Sequence, residues 1–397
     1  MPLSGEGRCR STRSVHVDRF FEARLRPALV VGRAARVRVD MSMKCSRPVS
    51  RGCGAGRGRP RPGRTLRLAM ALPIPLVRCI RSGLEESLHM GDVAVADADG
   101  RLVAFVGDPR RPVFARSSMK PLQAAASLSL APFDFSDREV AVMCASHNAE
   151  SVHVEAVRSL MRRAGVPEDA LQCPAMRPWD EETAIQSPER RRINSDCSGK
   201  HAGMLAACLA QGWPMDGYRM ADHPLQRAIL RAVLSASGLE SVDVGMDGCG
   251  VPVHGMPLAS MARIYARLTR PDDIGDVAGT ARRATQAMRA EPYLVAGRNR
   301  TDTAVMQEAP DVIAKGGAEG LMCAGLFDRG LGVVVKIRDG SARASGPVLI
   351  RALRLLEALN DGAVDRLEPF ARPPVLGGGK PVGELVADFA LQRPGSS

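Results

Sequence analysis

Two apolar stretches far apart in the chain do most to limit its fold. "GDVAVADADGRLVAFVGD" (91–108) alternates, turns at Asp97–Gly100 and alternates again, which is the pattern of a β-hairpin. "GLMCAGLFDRGLGVVVKIRDG" (320–340) holds two apolar runs around Asp328, Arg329 and Gly330, a second hairpin. Between them the periodicity is helical. "SSMKPLQAAASLSL" reads as a helix with Pro121 in its first turn, the one place a helix tolerates it, so Ser117 sits at the helix mouth. "SDREVAVMC" opens with a capping box, Ser136 and Glu139. Further helices are expected over 150–164, 200–211, 224–236, 257–269 and 275–289. After the second hairpin, "GPVLIRALRLLEALN" is a periodic helix, and "RPPVLGGGKPVG" is a loop-like return with one more strand. This order predicts an α+β fold: a sheet assembled from both chain ends, with a helical section inserted.

The 397 residues are 45 % hydrophobic but only 4 % aromatic, so the core must be built from Ala, Val, Leu and Met. That length suits one large domain or two ordinary ones. The apolar runs are too short to span a bilayer, which argues against a membrane protein. The net charge of +12 is confined to one end. Residues 1–69 carry 17 basic and 4 acidic side chains, leaving 38 and 39 in the remainder. A near-neutral body has no phosphate-tracking stripe, so nucleic-acid binding is excluded. The Arg-, Gly- and Pro-rich leader, 1–69, has no sustained period and is expected to be disordered. Arginines interrupt its apolar patch "PALVVG", so it lacks a secretory h-region. Foldable sequence follows Met70 at once, which points to a native start there and one domain over 70–397. Ten cysteines without a small-scaffold framework imply reduced thiols in a cytoplasmic protein.

Lysine is rare here, with 6 against 49 arginines. Arginine cannot lose its proton in a protein and a desolvated lysine can, so each lysine invites a chemical reason. Lys336 and Lys380 read as surface charges, whereas Lys120, Lys200 and Lys315 fall in polar clusters. Ser117 and Lys120 are three apart and share a helical face, while Ser118 points away. A neutral Lys120 would activate Ser117, with helix-mouth N–H groups beside a developing oxyanion. The bland alternative is a capping serine and an exposed lysine. Ser146 in "SHN" and Lys315 in "KGG" follow in the box order of penicillin-interacting serine enzymes, with Gly316 in place of the usual hydroxyl residue. They offer a second Ser–Lys pair. Cys197, Lys200 and His201 lie in "NSDCSGKHAGM", and Asp247, Cys249 and His254 in "MDGCGVPVHG". Two thiolates, a nitrogen and a water make a plausible tetrahedral zinc site, and two structural cysteines are the alternative.

At "FARSSMKPLQ", "MCASHNAE", "DCSGKHAGML", "MDGCGVPVHGMPL" and "AKGGAEGLMCAGL" the chain resembles the L-asparaginase II family, the class 3 or rhizobial-type asparaginases. The motifs run in family order across about residues 74–390. The resemblance implies a serine β-lactamase/glutaminase-like fold, a homodimer, and hydrolysis of L-asparagine to L-aspartate and ammonia. It implies Ser117 as nucleophile with Lys120, and Ser146 with Lys315 as the second pair. It also implies Cys197, Lys200 and Cys249 as ligands of one zinc, with Asp247 and His201 beside the site and Arg116 for the substrate carboxylate. The family often has Asn where this chain has Asp196. Rival readings are another acyl-serine hydrolase, β-lactamase-like or glutaminase, and a non-catalytic zinc-binding protein.

Overall fold

The first hairpin of the sequence becomes the middle of the main sheet. The computed structural model describes residues 73–395 and the strand Ala35–Arg38 (β1). Strands β2 (Ile74–Arg81), β3 (Leu84–Asp97), β4 (Leu102–Val106) and β5 (Pro112–Phe114) lead into the helices. These are α1 (Lys120–Leu128), α2 (Asp137–Met143), α3 (Ser151–Ala164), the short α4 (Glu181–Gln186), α5 (Ser198–Ala210) and α6 (Pro224–Ser237). After β6 (Ser241–Met246) and β7 (Pro252–Pro257) come α7 (Leu258–Thr269), α8 (Ala278–Ala290), α9 (Pro292–Val295) and α10 (Thr301–Glu308). The chain closes with β8 (Val312–Gly317), β9 (Leu321–Leu326), β10 (Leu331–Ile337), α11 (Ala342–Leu355), α12 (Asp361–Ala371), β11 (Pro374–Gly377) and β12 (Lys380–Ala387).

The main sheet is antiparallel, in the order β11-β12-β2-β3-β10-β9-β8, with β4 also on β3. It joins strands from both ends of the chain around the inserted helical section, the α+β arrangement expected. Gly91–Ala96 of β3 are buried at every position, as a strand covered on both faces requires. Helix α7 lies on β3, β9 and β10, and α11 packs on β9, β10 and β12. The two helices do not pack on each other, so they cover opposite faces. Gly332 makes the α7 contact close: a Cβ there would meet the Ala262 carbonyl oxygen at 1.9 Å. Helix α11 begins four residues earlier than its periodicity predicts and carries Pro347 in its second turn. The tail forms a hairpin, β11 and β12, where one strand was expected.

In the helical section, α1 is buried along nearly its whole length and packs against α5, α6 and α8. Its alanines allow that approach, and the Ser136–Glu139 capping box forms at the start of α2. Gly199 on α5 lies so close to α2 that a Cβ would meet the Val142 carbonyl oxygen at 2.1 Å. This brings the start of α5 against the chain that leaves α2 toward Ser146.

A small sheet, β1-β6-β7-β5, stands beside the main one. Its strand β1 falls within residues 1–69. Ala35–Arg38 pair antiparallel with Ser241–Val244, because pairing of backbone with an open sheet edge needs no apolar periodicity. The remainder of 1–69 lies outside the described residues.

Candidate active site

Strand β5 ends at Phe114, and the chain turns sharply into a 3-10 turn, Arg116–Met119, that runs on into α1. Arg116 makes the turn with φ +46°, a left-handed conformation that costs a non-glycine residue about 1–3 kcal/mol. Ser117 follows it and is half-buried. Ser118 is buried, and its hydroxyl donates to the Ala115 carbonyl at 2.6 Å. Ser118 is thus committed to backbone, and Ser117 is the less buried of the two.

Lys120 is fully buried. Its Nζ donates to the Ala145 carbonyl at 2.6 Å, Ser146 Oγ at 2.8 Å and the Asp196 carbonyl at 3.2 Å. Three acceptors match the three protons of an ammonium, and the Asp196 carboxylate stands 3.5 Å away. Burial alone would raise the Asp196 pKa, but Lys120 and further neighbours outweigh it and hold it below the usual range. The Asp that stands where the family often has Asn is therefore a counter-charge to Lys120. Ser146 itself is fixed by its N–H to the Val295 carbonyl, and Asn148 by its N–H to that of Ala296.

Lys315, on β8, is also fully buried. Its Nζ donates to Asp302 Oδ2 at 3.2 Å and to the Gly316 carbonyl at 2.8 Å. Burial pushes its pKa down to about 8; Asp302 opposes this, and the charges of Lys120 and Arg300 add to it. β8 packs against the Ser117 turn, and Lys315 lies near enough to Lys120 to feel its charge. The pairing differs from the sequence reading. Lys120 bonds Ser146, not Ser117, and Lys315 bonds Asp302, not Ser146. The i, i+3 spacing puts Ser117 and Lys120 on one face, but Ser146 and two carbonyls claim the lysine's protons.

The opening cysteine cluster also assembles. Lys200 Nζ donates to Cys249 Sγ at 3.1 Å, and Cys197 lies close enough to Cys249 for the two thiol groups to shift each other's proton affinity. All three are buried. Burial alone would lower the Lys200 pKa, but the two thiol groups and Asp247 raise it above its ordinary value. Cys249 moves the other way, held well below the usual thiol range chiefly by Cys197, with Lys200 adding to it. His201 Nδ1 meets the Tyr218 hydroxyl at 2.5 Å, while its Nε2 is buried without a partner. Burial pushes the imidazole down to about 4. Two neighbouring thiol groups and the Lys200 amine, once it gives up its proton, fit the borderline-soft donor set of zinc. Among the described residues no group of three or more His, Cys, Asp or Glu is placed to hold a metal, so the amine is needed as third donor. Asp247 Oδ1 accepts from Arg116 Nε at 2.8 Å, which ties this corner to the Ser117 turn. His254 is buried on β7, its Nδ1 unpartnered.

Sequence reasoning missed Asp302 and Arg300. Asp302 opens α10 and also accepts the Gly316 N–H at 2.8 Å, so it fixes both Lys315 and its strand. An acid in the first turn of the helix before a lysine-bearing strand was the available signal. Lys336, read as a surface charge, is half-buried and donates to the Glu319 carbonyl.

Among solved structures, the chain aligns with a β-lactamase from Mycobacterium bovis at 17% identity, over 68% of this chain and 95% of that one, with a TM-score of 0.37. A Bacillus subtilis glutaminase, in covalent complex with 5-oxo-L-norleucine, aligns at 13% identity over 68% and 88%, with a TM-score of 0.32. An unliganded simvastatin synthase from Aspergillus terreus aligns at 10% identity over 62% and 87%, with a TM-score of 0.34. No curated protein matches. The family model described as L-asparaginase II matches residues 77–387, a span that contains both Ser–Lys elements and the thiol corner. The chain belongs to the L-asparaginase II family and is an amidohydrolase.

Proposed function

We propose that this protein hydrolyses L-asparagine to L-aspartate and ammonia through an acyl-enzyme on Ser117. One observation carries the reading: two fully buried lysines with different partners lie on the elements that adjoin a strained turn carrying a half-exposed serine. Lys315, with a pKa near 8, is the amine that gives up its proton more readily than an ordinary lysine and, once neutral, accepts the Ser117 proton. Lys120, with its three acceptors filled, is the ammonium that donates through Ser146. Splitting an acid and a base between two like residues by environment is a general device of active sites.

The steps balance. Ser117 Oγ attacks the side-chain amide carbon as its proton passes to Lys315. The Ser117 N–H, in a first turn where no intrahelical carbonyl reaches it, faces the oxyanion. The C–N bond breaks as Lys120 delivers a proton through Ser146 to the leaving nitrogen, releasing ammonia. Water then attacks the β-aspartyl ester and gives its proton back through Ser146 to Lys120. Lys315 returns its proton to Ser117 as aspartate leaves. Asp247, held by Arg116, is suited to the substrate's α-ammonium, with His201 nearby in its neutral form.

Cys197, Lys200 and Cys249 would hold zinc, which when bound supplies local order and positive charge beside Asp247. The chemistry above runs on the serines and lysines alone. A homodimeric, cytoplasmic enzyme completes the proposal. The cysteines among the described residues are all free and buried, which suits a reducing compartment, and no helix among those residues is long and apolar enough to cross a membrane. Ammonia release from asparagine and glutamine, measured side by side, tests the substrate. Turnover of neither, or cleavage of a chromogenic β-lactam instead, would overturn it.

A further inference from the structure

The guanidinium that the sequence offered for the substrate carboxylate, Arg116, already faces Asp247 at 2.8 Å and Glu319 at 4.0 Å. A second arginine near the lysines is placed differently. The loop from Gly297 to Arg300 bends through left-handed conformations at Gly297 (φ +115°) and Asn299 (φ +58°) and presents two arginines to one cavity of about 730 Å³. Arg298 there faces three carboxylates, those of Glu150, Asp180 and Glu182. Arg300 has no carboxylate partner among the described residues. Its Nη1 donates to Asn148 Oδ1 at 2.9 Å, and its guanidinium lies 5.5 Å from the Trp179 ring centroid. Asn148 is two residues beyond Ser146, and the Arg300 charge acts on both Lys315 and Asp302. Asp302, the nearest candidate counter-ion, is already engaged by Lys315 and the Gly316 N–H.

We propose that Arg300 receives the α-carboxylate of the substrate, with Asn148 and Trp179 holding the guanidinium for it. A guanidinium fixed on one edge by an amide and on one face by an indole keeps further N–H groups for a bidentate carboxylate. Of the acids that line the cavity, Asp180 and Glu182 face Arg298 rather than Arg300, and Glu181 lines it too. The assignment makes the enzyme selective for amides that carry a free carboxylate, and it rests on the amidohydrolase reading above.

The test compares L-asparagine with 3-aminopropanamide, which is asparagine without its carboxyl group. With Arg300→Ala, kcat/KM for asparagine should fall about 100-fold, mainly through KM, the scale of a hydrogen-bonded charge pair. Its kcat/KM for 3-aminopropanamide should stay within about two-fold of the parent, and Arg300→Lys should recover part of the asparagine loss. An equal loss on both amides, or no loss on asparagine, overturns the assignment. Should the parent enzyme release no ammonia from asparagine, the substrate reading fails, and calorimetry then decides the arginine separately. L-Aspartate binding to the parent chain, weakened about 100-fold by Arg300→Ala, supports the carboxylate site; unchanged or undetectable binding to the parent overturns it.

Discussion

Lys315 and Lys200 are both buried, and burial alone drives each amine toward its neutral form, yet they end on opposite sides of the ordinary lysine value. Lys315 faces one carboxylate but shares its surroundings with Lys120 and Arg300, and its pKa comes down to about 8. Lys200 faces two thiol groups and Asp247, which raise its pKa above the ordinary value, so zinc would have to displace a proton to take this amine as a ligand. Burial sets the stakes, and the neighbouring charges decide the direction. One fold thus sets two buried amines of the same residue type apart by the charges around them.

The sharpest way to break this comparison is to remove what Lys315 serves. Ser117→Ala should lower kcat by roughly 10^4-fold or more with its melting temperature nearly unchanged. A variant that still turns over asparagine would move the nucleophile to Ser146. Next come the lysines. Lys315→Arg and Lys120→Arg should each cost about 10^2–10^4-fold in kcat, because arginine neither takes up nor gives back a proton on this scale. Near-normal turnover in either one removes that residue from the proton path.

A smaller effect tests the electrostatics directly. Lys315 acts in its neutral form, so kcat/KM should rise with pH through about 8 and level off above it. Asp302 raises the Lys315 pKa, and Asp302→Asn should therefore move the rising limb toward lower pH. A limb that moves upward, or stays in place, would show that the carboxylate does not set this proton's affinity.

Zinc comes next. Elemental analysis of protein purified without chelator should find about one zinc per chain. Cys249→Ser should release it, raise KM and lower the melting temperature while changing kcat little. No metal, together with an unchanged KM, would return Cys197, Lys200 and Cys249 to a packing role. Smallest of all should be the effect of starting the chain at Met70. Turnover should persist, and the change expected is a modest loss of stability from uncovering the β6 edge where β1 pairs. Loss of soluble protein would make that pairing essential.

The chemistry of this site was legible because it stands out from its background. In a chain so biased to arginine, Lys120, Lys200 and Lys315 mark themselves, and the hairpins around Gly100 and Gly330 announce the sheet by alternation. The partners were not legible. Ser146 reaches Lys120 across 26 positions, and Asp196 reaches it across 76, distances that no local period encodes. Helical spacing and the family resemblance both offer the Ser117–Lys120 pairing, but spacing says which side chains share a face, not which acceptors claim their protons. Strands β6 and β7 escaped notice because "SVDVGM" and "PVHGMP" are short and broken by Gly and Pro, which dilutes the alternation.

The burial of the working lysines has a practical side. Of the lysines described, Lys120, Lys200 and Lys315 are closed to solvent, Lys336 is half-covered, and Lys380 alone is exposed. Lys380 begins β12, next to the outermost strand β11, while Lys315 lies on β8 at the other edge of the sheet. Among the described residues, an amine-reactive tag or support would therefore find a single open handle, and it would tether the enzyme by the edge of the sheet opposite the lysine that accepts the proton.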